Sequence, residues 1–421
     1  MKKSRLPLVI LSIITILSLI LLGFFFIRPA LTDKQEVAHQ SASTQSPFQI
    51  DEPKVSLVPP QDESPEQTGT QEPKTQGESI KINAVGDIMF ARYIGQKIES
   101  QGGELPFKYV SKYFKADEIN IANLENPLYK YDPPKAKPKS TSNEATSSAA
   151  ASSQESSAAT AVYEPIILCG NPKAIEGLSA ANINLVSLAN NHAMDKGAEG
   201  IQKTLELLDS KNIMHAGAGM NVTDAQEAAV FEHRGNSVCF ISASNIIPAG
   251  YLASKQSPGI AGARTNIKSL LKQVKDAKAK GQIVLVAIHW GVEYQDYPLD
   301  KDKTFARSLV DAGADALICH HPHVLQGVEL YKEKPIIYSL GNFIFDIYHS
   351  HADESVIAHL ELNPDGSLES LSFSPIRIKG GIPAPATGDD AVKILERFSD
   401  LSKSLGSDFE IQDQKLVLRS Q

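Results

Sequence analysis

Two histidines, His321 and His323, flank Pro322, and a third, His320, precedes them. So rigid a spacing can aim two imidazoles at one centre, and neutral imidazole is a common ligand of divalent transition metals. Four other short runs have related chemistry: Gly86-Asp87, Asn190-Asn191-His192, His289-Trp290-Gly291 and Gly341-Asn342. Each alone has a plainer reading. Aspartate after glycine ends strands and caps helices, asparagines bond their own backbone in turns, and a lone buried histidine is often satisfied by a carbonyl. Together they are harder to dismiss, because carboxylate, carboxamide and imidazole complete the shell of a divalent ion without over-neutralising it. Two such ions about 3.5–4 Å apart polarise a phosphoryl oxygen and activate water for in-line attack. A further histidine can then protonate the leaving oxygen.

Runs so far apart in the chain need elements that bring them together. Ser79 to Val85, Ile183 to Leu188, Ile283 to Ile288, Ala316 to Cys319 and Pro335 to Leu340 are short apolar segments of strand character, and each leads into one of the polar runs. Between them, Ile201, Leu205 and Leu208 mark one amphipathic helix, and Phe305, Leu309 and Val310 mark another. This alternation predicts an α/β domain, whose ligands bind beyond the carboxyl ends of the strands. Near the C-terminus, Ala391 to Leu405 reads as a helix and Phe409 to Leu418 as a short strand pair.

The 421 residues, 42% hydrophobic and 21% charged, fit one large domain with appendages. A net charge of −8 argues against a nucleic-acid partner held through its phosphates. The three cysteines, Cys169, Cys239 and Cys319, lie far apart in apolar surroundings, which predicts buried thiols rather than a disulfide framework. Lys2, Lys3 and Arg5 precede an apolar run from Leu6 to Ile27. At about 1.5 Å per residue that run crosses a hydrocarbon core of about 30 Å. Residues 1–28 therefore read as a single-pass anchor in the cell membrane, with the remainder extracytoplasmic. Residues 29–78, rich in Gln, Ser, Pro, Glu and Thr, read as a disordered linker. The domain proper spans 79–385 with a low-complexity insertion at 130–161, and 386–421 follow as a C-terminal helix and short strands.

Six motifs in order carry a family resemblance: Val85-Gly86-Asp87-Ile88-Met89-Phe90, Asn123-Leu124-Glu125-Asn126-Pro127-Leu128, Leu188-Ala189-Asn190-Asn191-His192-Ala193-Met194-Asp195-Lys196-Gly197, His289-Trp290-Gly291-Val292-Glu293, His320-His321-Pro322-His323 and Ser339-Leu340-Gly341-Asn342-Phe343. They resemble the CapA family, associated with bacterial capsule and poly-gamma-glutamate synthesis or export. That family is similar to calcineurin-like metallophosphoesterases, which implies a four-layer α/β/β/α sandwich. The resemblance implies metal ligation by Asp87, Glu125, Asn191, His289, His321 and His323, with His192 as the leaving-group acid. Asn190, Asp195, Trp290, Glu293, His320 and Asn342 are the supporting or substrate-binding candidates.

Two positions depart from the phosphoesterase pattern. Met89 stands where a histidine ligand is usual, and Glu125 where an aspartate is usual. Glu293 or His320 is the candidate to supply the missing ligand. The implied cofactor is a divalent metal, one or two ions of Mn, Fe or Zn. The implied substrate is an anionic cell-envelope polymer or a phosphoester, and the implied partners are membrane-embedded capsule synthase proteins. The chain then serves either as a hydrolase or as a non-catalytic metal- or polymer-binding component of the synthase.

Overall fold

The apolar run after Ser79 forms β1 (Ile80–Ile88), buried along almost its whole length. The computed structural model describes residues 77–131, 166–346 and 349–419. The predicted anchor and nearly all of the predicted linker and insertion lie outside these residues. No helix among the described residues is long and apolar enough to cross a membrane.

After β1 come α1 (Arg92–Gln101), β2 (Ile119–Leu124), α2 (Ala174–Ala180), β3 (Leu185–Ser187), α3 (Gly197–Ser210) and β4 (Met214–Ala216). The strands β1 to β4 pair in parallel in that order. Parallel neighbours require crossovers long enough to hold a helix, which accounts for the alternation visible in the sequence. The chain continues through β5 (Ala218–Gly219), α4 (Val222–Gln226), β6 (Ala229–His233), β7 (Asn236–Ser244), β8 (Gly259–Ile260), α5 (Ile267–Ala279), β9 (Ile283–His289), α6 (Asp300–Ala312), β10 (Ala316–His320), β11 (Leu325–Tyr331) and β12 (Lys334–Leu340). Apart from the small β5/β8 pair, these strands build a second sheet in the order β11-β12-β10-β9-β7-β6.

The chain then returns to the first sheet with β13 (Asn342–Ile344), β14 (Glu354–Leu362), β15 (Leu368–Lys379), β16 (Ile382–Pro385), α7 (Gly388–Lys403), β17 (Phe409–Gln412) and β18 (Lys415–Leu418). Its order is β17-β18-β15-β14-β1-β2-β3-β4, with β13 beside β1 and β16 beside β15. The long antiparallel β14/β15 ladder is absent from the sequence expectations. Its runs mix Ser, Glu and His with apolar residues, so they lack the continuous apolar character of the parallel strands.

Alternation along each strand sends neighbouring side chains to opposite faces. Ile82, Ala84 and Ile121 from the first sheet meet Phe240, Leu285 and Ile318 from the second in one core. On the first sheet's other face, Val85, Ala122 and Val186 pack with Ile94, Leu178, Ile201 and Leu208 of α1 to α3. On the second sheet's other face, Val286, Ile288 and Leu317 pack with Leu270 and Val274 of α5 and Phe305 and Leu309 of α6. Each such side chain, once fully buried, contributes about 1.5–3 kcal/mol. Residues 386–419 join the same structure, because Ile394, Leu395 and Phe398 of α7 enter the core between the sheets and β18 pairs with β15. All three cysteines are buried and free.

One close crossing sets the end of β1. Asp87 N donates to Gly341 O at 2.9 Å, and Asp87 sits in register with Asn342. A Cβ on Gly86 would lie 2.0 Å from Gly341 O, so only glycine lets these two backbones approach.

Candidate metal centre

Asp87 lies near the carboxyl end of β1, Glu125 follows β2, Asn190 to His192 follow β3, His289 ends β9, and His321 and His323 follow β10. The strand ends therefore bring together residues that the sequence separates. Asp87 and Glu125 are both wholly buried. Asn123 holds them apart, its Nδ2 donating to Asp87 Oδ1 at 2.8 Å and Glu125 Oε2 at 2.5 Å. Asn190 Nδ2 in turn donates to Asn123 Oδ1 at 3.1 Å and Leu124 O at 2.8 Å. The remaining oxygens, Asp87 Oδ2 and Glu125 Oε1, are buried without a hydrogen-bond donor.

Those oxygens face further lone pairs. His289 Nε2 is 2.8 Å from Asn191 Oδ1, 3.1 Å from His321 Nδ1 and 3.7 Å from Glu125 Oε1. Carboxamide and ionised carboxylate oxygens only accept, and each neutral ring carries one proton on its two nitrogens, so His289 Nε2 cannot satisfy Asn191, Glu125 and His321 at once. The imbalance is what a divalent cation relieves. Asp87, Glu125 and His289 offer ligand atoms within 4.8 Å of one another, and so do Glu293, His321 and His323. The donor set fits a divalent metal, and the two groups adjoin through the His289–His321 contact.

Asn342 sets the state of the last histidine. Its Nδ2 donates to the carbonyls of His323 at 3.2 Å and Ala352 at 3.1 Å, which turns its oxygen toward His323 Nδ1 at 2.9 Å. His323 Nδ1 therefore carries the hydrogen and Nε2 keeps its lone pair. Asp87 Oδ2 lies 3.2 Å from the same Nδ1. Both His321 (φ 104°) and His323 (φ 60°) have left-handed backbone, a conformation that costs about 1–3 kcal/mol per residue and clusters at functional sites.

Burial, reinforced by the neighbouring imidazoles, holds His289 well below the usual histidine range. Burial and His323 push His321 down to about 3. Both rings are thus neutral and ready to ligate. Glu125 is held well above the usual carboxylate range by burial and by the charge of Asp87. For Asp87 burial works upward, but the adjacent His323 imidazole prevails and lowers it. His323 mirrors this, with burial opposing and Asp87 raising it.

His192 stands at the edge of the group, its side chain 16% exposed. Its Nδ1 donates to Asp195 Oδ2 at 2.8 Å, and Asp195 is fixed by Leu168 N at 2.6 Å and by the Tyr251 hydroxyl at 2.9 Å. Burial and Asp195 raise the Tyr251 hydroxyl to about 12, so it remains a donor.

The other expected residues divide. Glu293 is exposed on the loop after β9, beside His321 and His323. His320 Nε2 is engaged with Val85 O at 3.1 Å, tying the two sheets together rather than joining either ligand group. Trp290, for which ligand stacking was one expectation, is wholly buried between the second sheet and α6, stacked on Tyr338 with ring centroids 5.9 Å apart. It belongs to the core. Met89 is also wholly buried in core, and its sulfur accepts from Ala91 N at 3.0 Å. Two residues outside the expected set matter. Asn123 is two residues before Glu125, a spacing that puts both on one strand face and was readable as such. Tyr251 carries no local signal, because only the tertiary fold delivers it to Asp195.

A family model described as bacterial capsule synthesis protein PGA_cap matches residues 81–347. The chain belongs to this family. The matched stretch of this PGA_cap protein contains every residue of the two ligand groups, together with His192 and Asn342. Among its relatives, the PGA biosynthesis protein CapA of Bacillus subtilis (strain 168) is 31% identical, over 80% of this chain and 82% of its own. The capsule biosynthesis protein CapA of Bacillus anthracis is 29% identical, over 82% of this chain and 78% of its own. A 5'-nucleotidase precursor from Thermus thermophilus aligns in structure with a TM-score of 0.31 and 16% identity, over 55% of this chain and 45% of that one.

Proposed function

We propose that this PGA_cap protein serves the synthesis or export of a capsular polymer of the poly-glutamate type, held at the outer face of the cell membrane by residues 1–28. The names of its CapA relatives support the polymer, and the apolar run Leu6 to Ile27 supports the anchor. In this reading the three cores stack as a four-layer α/β/β/α sandwich of the metallophosphoesterase type. Its strand ends hold one or two divalent ions of Mn, Fe or Zn, and membrane-embedded synthase proteins are its partners.

The observation that carries the proposal is the convergence of Glu125 Oε1, Asn191 Oδ1, His289 Nε2 and His321 Nδ1 with too few protons to pair them. Asp87, Glu125 and His289, with Asn191, are one set of ligands. Glu293, His321 and His323 form the second, Glu293 taking the role that Met89 is turned away from. A divalent ion bound there supplies Lewis-acid polarisation of an ester or amide oxygen and a more acidic water. Asn123 keeps the two carboxylates oriented. His192, with Nδ1–H on Asp195, delivers a proton from Nε2 to the leaving oxygen or nitrogen.

A second reading has one observation in its favour. Met89 lies in the core where phosphoesterases place a ligand, which suits a non-catalytic component that binds metal or polymer. Metal analysis of the purified full chain, with turnover of a phosphoester and of poly-γ-glutamate, separates the two. The hydrolase reading requires bound metal that D87N depletes, and cleavage that H192Q abolishes while metal content stays. Metal with no cleavage by the wild type supports the binding component. A chain that takes up no divalent ion overturns both metal readings.

A further inference from the structure

The outer face of the first sheet carries a polar stripe at the opposite end from the metal centre. In register across the strands run Asn120 of β2, Asn83 of β1, His359 of β14 and Ser372 of β15. Elsewhere this face is apolar and covered by α1 to α3. Here it lies beneath a cavity of about 300 Å³, within the range of small-molecule sites.

Four lysines, Lys81, Lys112, Lys115 and Lys415, edge this cavity, together with Glu118 and Glu361. Lys81 lies 4.0 Å from Glu361, and Lys115 lies 3.6 Å from Glu118. Among the described residues Lys112 and Lys415 have no carboxylate within ion-pair distance, although the whole chain carries a charge of −8. Two unneutralised cations at one cavity of an acidic protein form a local positive field, which attracts anions.

The floor is neutral and hydrogen-bonding. Asn83 Nδ2 donates to Glu118 Oε2 at 2.7 Å and Asn120 Oδ1 at 2.8 Å, so Asn83 Oδ1 faces His359 Nδ1 at 2.7 Å and that nitrogen carries the hydrogen. His359 Nε2 then accepts from Ser374 Oγ at 2.9 Å. Burial and Lys415 lower His359 to about 4, so the ring adds no charge. The positive charge is thus confined to flexible lysines at the rim. Among the described residues no arginine lines the cavity. Separate ammonium groups act as point charges on flexible stems, without the fixed bidentate fork of arginine, which suits anionic groups spaced along a chain.

We propose that this lysine-edged cavity is a second binding site, for a carboxylate-bearing anionic chain. It rests on the polymer reading above and adds a subsite remote from the chemistry. Asn83 and Asp87 are four residues apart on β1, roughly 13 Å at about 3.3 Å per residue.

The test is binding of a poly-γ-glutamate oligomer of defined length to the purified full chain, by fluorescence anisotropy, with polyphosphate of equal charge as the comparison. K112E/K415E changes only exposed side chains. It is expected to weaken poly-γ-glutamate binding at least tenfold, with metal content and melting temperature unchanged. D87N should leave that binding within about twofold while lowering metal content. Wild-type affinity in K112E/K415E overturns the site, as does polyphosphate binding as tight as poly-γ-glutamate. If D87N abolishes polymer binding and K112E/K415E does not, the polymer reading survives and this subsite falls. If the wild type binds no poly-γ-glutamate, both fall, and metal content still reports separately on the strand-end centre.

Discussion

The His323 ring donates to Asn342 Oδ1 across 2.9 Å, and the direction of that hydrogen bond is settled from behind, because the Asn342 amide nitrogen is occupied by the carbonyls of His323 and Ala352. A side chain in no ligand group thereby decides which nitrogen of His323 keeps its lone pair. Outer partners of this kind tune metal affinity by about 10–100-fold. N342A is expected to weaken Mn or Zn binding by that factor in calorimetric titration, leaving the ion count at saturation unchanged. Unchanged affinity would show that the tautomer is set elsewhere.

Glu293 is the exposed member of the second ligand group, so its loss should open one site without disturbing the core. E293Q is expected to weaken the looser of two binding steps, or to reduce two bound ions to one, with a melting temperature of the metal-free protein within about 2 °C of wild type, as for a surface change. Equal stoichiometry and affinity in E293Q would place the second ion elsewhere.

Asp195 accepts the Nδ1 hydrogen of His192 and is itself fixed by Tyr251 and Leu168. That hydrogen bond fixes the orientation and tautomer of the His192 ring. D195N is expected to cut kcat by about 10²–10⁴-fold, with metal content retained. A loss of kcat that is accompanied by an equal loss of metal content or by a lowered melting temperature would assign Asp195 a structural role alone.

Stability of the metal-free protein should fall on acidification. His321 is pushed to about 3 by burial and His323, and His359 to about 4 by burial and Lys415, both from a usual 6.5. Between those values and 6.5 the unfolded chain takes up protons that the folded chain refuses, so stability is lost as pH drops through that window. The slope is about 1.4 kcal/mol per pH unit for each such proton. Glu125 acts in the opposite sense, since its raised value gives stability that is lost as pH rises above the usual carboxylate range. His323, also raised, acts with Glu125, but His289 and His320, both lowered by burial, join His321 and His359, so the lowered imidazoles prevail. The urea midpoint in EDTA should therefore decrease from pH 7 to pH 5, and an increase would contradict these assignments.

G86A should be among the most disruptive small substitutions, because the added methyl would sit 2.0 Å from Gly341 O, a backbone atom with nowhere to move. A loss of about 3 kcal/mol or more is expected in urea unfolding, at the upper end of overpacking costs. A loss below about 1 kcal/mol would mean that the β1–β13 crossing tolerates displacement.

The parallel strands and the helices between them were legible because their residues solve a local problem. A strand buried on both faces must be apolar throughout, as in Ile283–His289, and a helix covering a sheet must repeat its apolar residues every three or four positions, as Ile201, Leu205 and Leu208 do. The candidate ligands stood out for a related reason, since the side chains of Asp87, Asn191, His289, His321 and His323 offer oxygen or imidazole donors and carry that chemistry in their identity. Tertiary structure alone decided the rest. Trp290 and His320 stand beside ligands in sequence, yet strand alternation turns Trp290 into the outer core and the sheet crossing gives His320 to Val85 O. Tyr251 became part of the site through a hydrogen bond across 56 residues, and a partner chosen by distance in space leaves no period in the sequence.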